Sequence, residues 1–368
     1  MTDLQSAGVD FYTGVPDSLL KEFLTHLQVS VSADKHHITA SEGAAVALAA
    51  GYHLATGKVP LVYMQNSGLG NAVNPLMSLT HHKVYGLPVL LMIGHRGQPG
   101  VQDEPQHVAM GAATLDMLKA MSIPFIVISG DEEDLSTLIK GAVQSSLESN
   151  APVALVVAAA SFDKASSPIA PPAPTHGLRR DDVILALLAK LPGNEAVVAS
   201  TGFNGRVLYE ARQTLGQGFA SDFLNVGAMG HALPIAVGIA LGQPDREVIC
   251  IDGDGALLMH LGSLLSAGKS GARVRHLLIN NNAHESVGGQ PTGTSELGFS
   301  NMALLAGYQY SHKMQAGESL ENVLQAFLQG AMPAFLEVPV DLGVKDNLAR
   351  PSADFKASKI SFMDFLKG

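Results

Sequence analysis

Gly253-Asp254-Gly255 directly follows the apolar run at 247–252, and a second run at 276–280 closes on the pair Asn280-Asn281. Glycines on either side of a carboxylate let the backbone approach a phosphate group, and a helix opening there presents free N–H groups to it. Asp254 and the Asn281 side chain offer hard oxygen donors, suited to a Mg²⁺ ion that also takes phosphate oxygens. Alone, a GDG reads as a turn and an Asn pair at a strand end as turn chemistry. One helix and one strand separate the two, so that both side chains emerge at neighbouring strand ends. In the other half, Ser41-Glu42-Gly43-Ala44-Ala45 sets a single carboxylate at the head of an Ala-rich helix, a favourable place for the charge in any helix.

These residues need strands to end where they begin. Apolar runs at 59–65, 88–93, 125–129, 153–157, 196–200, 247–252, 276–280 and 334–340 have the composition of strands buried on both faces. Helical patterns at 42–52, 131–147, 181–191, 231–241, 256–267 and 318–328 alternate with them. Strand-helix alternation defines an α/β fold of parallel, doubly wound sheets. The stretch Ala165-Ser166-Ser167-Pro168-Ile169-Ala170-Pro171-Pro172-Ala173-Pro174 is a semi-rigid linker. It gives one domain at 1–163, a linker at 164–177 and a second domain at 178–368. Ligands of such sheets bind beyond the carboxyl ends of the strands, where Glu42 (after 38–40), Asn66-Ser67-Gly68, Gly94-His95-Arg96, Gly253-Asp254-Gly255 and Asn280-Asn281 all stand.

Hydrophobic residues reach 46% of the 368 against 15% charged, which describes a folded chain rather than a disordered one. The formal charge of −10, without any basic run, argues against nucleic acid as a partner. The single cysteine, Cys250, leaves no disulfide framework and no cysteine metal site, which suits the cytoplasm. No uncharged apolar stretch approaches the ~18 residues of a spanning helix, so no membrane association is expected.

GDG, a helix and a strand, then Asn-Asn resembles the diphosphate and metal signature of thiamine diphosphate-dependent enzymes. The resemblance implies Mg²⁺ held by Asp254, Asn281 and the carbonyl of Ala283, with Gly253, Gly255, Ala256 and Thr201 against the cofactor. Gly227-Ala228-Met229-Gly230 corresponds to the segment that grips the aminopyrimidine through the Gly227 carbonyl and bends the cofactor over Met229, although a lone Met is more often core filler. Glu42 corresponds to the glutamate that hydrogen-bonds N1′ of the aminopyrimidine.

Longer blocks narrow the resemblance to the phosphonopyruvate decarboxylase family: Phe11-Tyr12-Thr13-Gly14-Val15-Pro16-Asp17-Ser18-Leu19-Leu20, Met64-Gln65-Asn66-Ser67-Gly68-Leu69-Gly70-Asn71, Asp103-Glu104-Pro105-Gln106-His107 and His284-Glu285-Ser286-Val287-Gly288-Gly289-Gln290. It implies decarboxylation of a small anionic 2-keto acid, 3-phosphonopyruvate, to phosphonoacetaldehyde and CO₂, a step of phosphonate biosynthesis. It also implies a homodimer or higher homo-oligomer with shared active sites. Asp17 and His107 join Glu42 as catalytic candidates, although Asp17 also reads as a helix N-cap. Arg96, Lys83 and Arg206 are the candidate cations for a phosphonate, with Asn66 and Ser67 as further substrate contacts. Two other readings remain. Sulfopyruvate decarboxylase has a similar substrate but commonly keeps its domains on separate chains, so one chain favours the phosphonate. A non-catalytic nucleotide-binding module would use GDG as a phosphate loop and would not need Glu42. A nicotinamide dehydrogenase is disfavoured because no GxGxxG follows the first strand.

Overall fold

The structure is a computed structural model that describes residues 1–163, 174–345, 347–351 and 354–368. Of the expected linker at 164–177, residues 164–173 lie outside the described residues. The chain divides into two compact units, Met1–Ala170 with His284–Gln290, and Pro171–Ala283 with Pro291–Gly368.

In the first unit, β1 (Tyr12–Gly14), β2 (His36–Ile38), β3 (Leu61–Gln65), β4 (Leu90–Gly94), β5 (Phe125–Ile128) and β6 (Val153–Val157) form one sheet. Its order is β2-β1-β3-β4-β6-β5, and every neighbouring pair is parallel. Successive side chains of a strand point to opposite faces, and here both faces are covered. Leu61, Tyr63, Leu90 and Met92 enter one apolar cluster, while Val62, Met64, Leu91 and Ile93 enter the other. That double burial explains why these strands are apolar without alternation.

The second unit repeats the arrangement with β7 (Ala196–Ala199), β8 (Asp222–Leu224), β9 (Val248–Gly253), β10 (Val274–Asn280), β11 (Tyr310–Lys313) and β12 (Ala334–Pro339). From one edge these run β8-β7-β9-β10-β12-β11, all parallel. Counted from the first strand of each unit, the two orders are identical. Ile249 and Ile251 serve one core, and Val248 and Cys250 the other.

The sequence reading misses short strands and uncapped helices. The strand expected at 38–40 is β2 at His36–Ile38; β2 and β11 are largely polar edge strands without a buried residue, and β8 is an edge strand of three residues that opens on the buried Asp222. Helices Lys21–Ser30, Val108–Ala120 and Phe203–Thr214 start without any side-chain cap, so no start signal marks them. The helix expected over 256–267 is two, Asp254–Met259 and Ser263–Lys269, separated at His260, whose φ of −135° is not helical. Among the described residues no helix is long and apolar enough to cross a membrane.

Gly268 lies so close to the carbonyl of Ala306 that a Cβ there would overlap it. Gly268→Ala is therefore expected to lower the urea midpoint, with a cost of about 1–3 kcal/mol. Gly141→Ala, in the helix Leu135–Ser149 where a Cβ meets nothing within 4 Å, should raise it by about 0.5–1 kcal/mol. Equal midpoints in the two variants would contradict the close approach at Gly268.

Candidate active site

In each sheet the connections from the first strand and to the third leave in opposite directions, which opens a crevice beyond the carboxyl ends of β1 and β3 and of β7 and β9. The polar residues collect at these ends.

Asp17 follows β1 and is fully buried. Gly94, at the end of β4, makes room for it, since a Cβ there would overlap an Asp17 oxygen. Neither carboxylate oxygen has a hydrogen bond of normal geometry. Burial pushes the Asp17 carboxyl up to about 6, against the opposing pull of the Arg96 guanidinium and of the nearby Ser18, Leu19 and Leu20 N–H groups. Glu42 heads the helix Glu42–Thr56, which Ser41 caps by accepting from the Ala44 N–H. It is 5% exposed, and its Oε2 accepts from Asn71 Nδ2 at 2.8 Å. Gly68 packs against this carboxylate where no Cβ would fit.

Arg96 is committed to neighbours. Its Nε and Nη2 donate to the two oxygens of Asp103 at 2.8 and 2.5 Å, and Nη1 donates to Ser18 Oγ at 2.8 Å. Asp103 also accepts from the N–H groups of Gly97 and Glu104, both at 2.7 Å. The Arg96 hydrogen bonds hold the Asp103 carboxyl well below the usual carboxylate range. Asn66 clamps the Arg96 backbone, donating to its carbonyl at 2.8 Å and accepting from its N–H at 3.2 Å. Ser67 accepts from Gln65 Nε2 at 2.7 Å. His107 precedes the helix Val108–Ala120, and burial, reinforced by Arg96, lowers its proton affinity.

In the second unit Asp254 opens the helix Asp254–Met259 directly after β9. It is 3% exposed, and its Oδ2 accepts from the hydroxyls of Thr292 at 2.5 Å and Thr294 at 2.9 Å. Burial raises its carboxyl, opposed by those hydroxyls and by the N–H groups of Gly255 and Asp254 itself. Asn281 Oδ1 accepts from the Ala283 N–H at 3.2 Å. Asn282 takes a positive φ of 54° and its Oδ1 collects the N–H groups of Thr294 and Ser295, which returns residues 292–295 to Asp254. At the β7 end, Asn204 packs against Gly253 and its Oδ1 is buried without a partner.

Thr201 donates to the Val226 carbonyl at 3.0 Å, and Asn225 staples the following turn by bonding both the carbonyl and the N–H of Ala228. Gly227 is thereby held exposed, and Met229, half-buried, belongs to neither apolar cluster of its unit. Core filling does not account for Met229. Gly230 takes φ of 83° and sits against Ala256, Met259 and His260.

A divalent cation fits this turn. A carboxylate nine-tenths buried whose hydrogen-bond partners are hydroxyls and N–H groups lacks a compensating charge, and hard oxygen donors are the set Mg²⁺ prefers. Asp254, Asn281 and the Ala283 carbonyl fit that donor set, and the unpartnered Asn204 oxygen marks further polar capacity at the same strand ends.

The two other expected cations have different surroundings. Lys83 is exposed on a turn that leads into β4, at the amino ends of the strands. Arg206 is turned to the carbonyls of Leu348 and Ala349. Sequence reasoning also passes over Asn71, Thr292, Thr294 and Asn204. Gly68 stood inside a quoted motif, but nothing in the sequence marks Thr292 as the partner of an aspartate 38 positions away.

The chain matches the model of the thiamine pyrophosphate enzyme N-terminal TPP binding domain over residues 2–117 and that of the C-terminal TPP binding domain over 205–338. These are the two α/β units, and they define a thiamine pyrophosphate enzyme. The chain is 34% identical to phosphonopyruvate decarboxylase of Streptomyces viridochromogenes, covering 95% of this chain and 89% of that protein. It is 32% identical to the enzyme of the same name from Streptomyces hygroscopicus, with the same coverage. It is 28% identical to sulfopyruvate decarboxylase of Methanosarcina acetivorans over 88% of this chain and 85% of that one. The chain belongs to the phosphonopyruvate decarboxylase family of thiamine pyrophosphate-dependent carboxy-lyases. The Methanosarcina relative corrects one expectation: a sulfopyruvate decarboxylase also spans both domains in a single chain, so a one-chain layout does not favour the phosphonate.

The Asp17 carboxyl binds its proton more tightly in the fold than in the unfolded chain, where the value is near 3.8. Ionising it therefore removes stability as pH rises from about 4 through about 6, and the cost is complete above that window. Asp17→Asn carries no charge and should be more stable than the parent at pH 8 by up to about 3 kcal/mol, and close to it at pH 4. Thermal melts at both pH values check this; a difference independent of pH would contradict an ionised, buried Asp17.

Proposed function

We propose that the protein decarboxylates 3-phosphonopyruvate to phosphonoacetaldehyde and CO₂, with Mg²⁺ and thiamine pyrophosphate. The observation that carries this reading is the end-to-end similarity to two phosphonopyruvate decarboxylases, above that to the sulfopyruvate enzyme. When bound, the cofactor supplies an electron-accepting ring for the pair released as CO₂ leaves.

The chain's residues bind, orient and carry protons around that chemistry. Glu42, fixed at its helix start by Asn71, hydrogen-bonds N1′ of the aminopyrimidine. Gly227 and Met229 would hold the cofactor's aminopyrimidine side. Gly253, Gly255 and Ala256 lie against the diphosphate with Thr201 nearby, and Asp254, Asn281 and the Ala283 carbonyl hold the cation. Loss of CO₂ leaves a carbon that takes up one proton. Asp17 supplies it, because its buried carboxyl keeps a proton up to about pH 6, and His107 stands on the neighbouring turn. Arg96, positioned by Asn66, meets the phosphonate with Ser67 beside it.

We further propose a homo-oligomer with active sites shared between copies. On the helix Glu42–Thr56, Ala44, Ala47, Leu48, Gly51, Leu54 and Ala55 all lie exposed at helical spacing, with Leu54 70% exposed. Such an apolar stripe of small residues suits close packing against a second helix.

Purified protein supplied with Mg²⁺ and thiamine pyrophosphate should release aldehyde from phosphonopyruvate with a higher kcat/KM than from sulfopyruvate. The opposite order would transfer the assignment to the sulfonate. Asp254→Ala should raise the Kd for the cofactor, measured by calorimetry in Mg²⁺, by at least about a hundredfold, or ~2.7 kcal/mol. Glu42→Gln should leave that Kd within about tenfold while turnover falls by orders of magnitude. Unchanged cofactor affinity in Asp254→Ala would remove it from the metal site, and parental turnover in Glu42→Gln would remove Glu42 from the chemistry.

A further inference from the structure

Asp17 and Arg96 are neighbours that do not hydrogen-bond to one another. Arg96 reaches the residue beside Asp17, donating from Nη1 to Ser18 Oγ at 2.8 Å, yet its Nε and Nη2 are turned to Asp103. The arrangement is over-determined. Asn66 holds the Arg96 backbone from both sides, and the Gly97 and Glu104 N–H groups hold Asp103 in place to receive the guanidinium. On the other side, Gly94 leaves Asp17 room but offers no side chain to bond it.

Among the described residues, Arg96 is the charged side chain whose field acts on the Asp17 carboxyl. Arg96 stands beyond the end of β4, and Asp103, Glu104 and His107 lie on the turn to which Arg96 is tied. His95, next to Arg96, is turned to the Gly111 carbonyl at 2.9 Å. The turn that carries Asp17 contributes the N–H groups of Ser18, Leu19 and Leu20.

We propose that Asp103 is a positioning residue for Asp17: by claiming the Arg96 guanidinium it withholds that cation from the buried carboxyl, so that Asp17 remains the protonated partner. This rests on the reading of Asp17 as proton carrier, and adds the device that maintains its proton. A carboxyl beside an uncompensated arginine loses its proton about one to three pH units earlier than otherwise. The same arginine, already neutralised by a bidentate carboxylate, exerts much less of that pull. The Arg96–Asp103 pair thus regulates a third residue that belongs to neither end of it.

Asp103→Asn keeps an oxygen for the Gly97 and Glu104 N–H groups and removes only the charge. In the cofactor-loaded protein without substrate, the titration of Asp17 is followed by the carboxyl band of the infrared difference spectrum, assigned by its absence in Asp17→Asn. The Asp103→Asn variant should titrate about one to three pH units below the parent, and the alkaline limb of its kcat profile should move to lower pH with it. Arg96→Met should move both in the opposite direction. A midpoint in Asp103→Asn equal to the parent's, or above it, overturns the proposal. Should that variant not fold, a midpoint in Arg96→Met at or below the parent's overturns it equally. If the carboxyl band shifts as expected while the kcat limb stays, the link between Asp103 and Asp17 stands and the assignment of Asp17 to the reaction falls.

Discussion

A carboxylate withdrawn from water needs a cation, a proton or enough donors, and leaving it with none costs several kcal/mol. The chain meets that constraint differently at the two edges of its sheets. Near the amino ends, acids receive arginines: the buried Asp222 pairs with Arg212, and the partly buried Glu247 with the buried Arg275. At the carboxyl ends three acids go without. Glu42 has an amide, Asp254 has two hydroxyls, and Asp17 has no hydrogen bond of normal geometry. An incompletely compensated acid at a strand end is a demand for an external cation or proton, and these are what the proposed Mg²⁺ ion and the proposed proton transfer would supply.

The glycines around these acids follow from the same constraint. Gly68 and Gly94 are sites where a Cβ would overlap the carboxylates of Glu42 and Asp17. Their absent side chains allow the acids to be buried against backbone, where no competing charge is introduced. The parallel sheets supply the place, since both units reverse their strand order between the first and third strands. One topology used twice gives one crevice that presents an acid after a short first strand and another that presents an acid after a long third strand.

Much of this was legible in the sequence, and the limits have physical causes. Strands buried on both faces announce themselves by composition, as β4 and β9 do. Edge strands such as β2 and β11 do not, because one side of each meets no neighbour and tolerates histidine, serine and lysine. The GDG turn and Glu42 were legible because their chemistry is local. The surroundings of Arg206 were not legible because the carbonyls it bonds lie 142 and 143 positions away, and those of Lys83 because an exposed lysine on a turn looks the same at either edge of a sheet. The state of Asp17 was hidden for a related reason. Val-Pro-Asp-Ser reads equally as a helix cap, and only the fold shows that the helix beyond it starts at Lys21 without a side-chain cap while the Asp17 carboxyl is fully buried.

On the proposed reading, a phosphonate drawn to Arg96 would meet a guanidinium already in use, and the competing bonds differ in strength. Displacing Asp103 would break a largely buried ion pair and strand its carboxylate, a loss of about 3–5 kcal/mol. Displacing the Ser18 hydroxyl from Nη1 gives up a single hydrogen bond to a charged group, about 1.5–3 kcal/mol, and the phosphonate oxygen replaces it. The second route is the cheaper one, and it leaves the Arg96–Asp103 pair intact. It also brings the phosphonate to the residue next to Asp17. A like charge so near disfavours ionisation of the Asp17 carboxyl further, so that on the proposed reading the anion that selects the arginine would also hold the proton the reaction consumes.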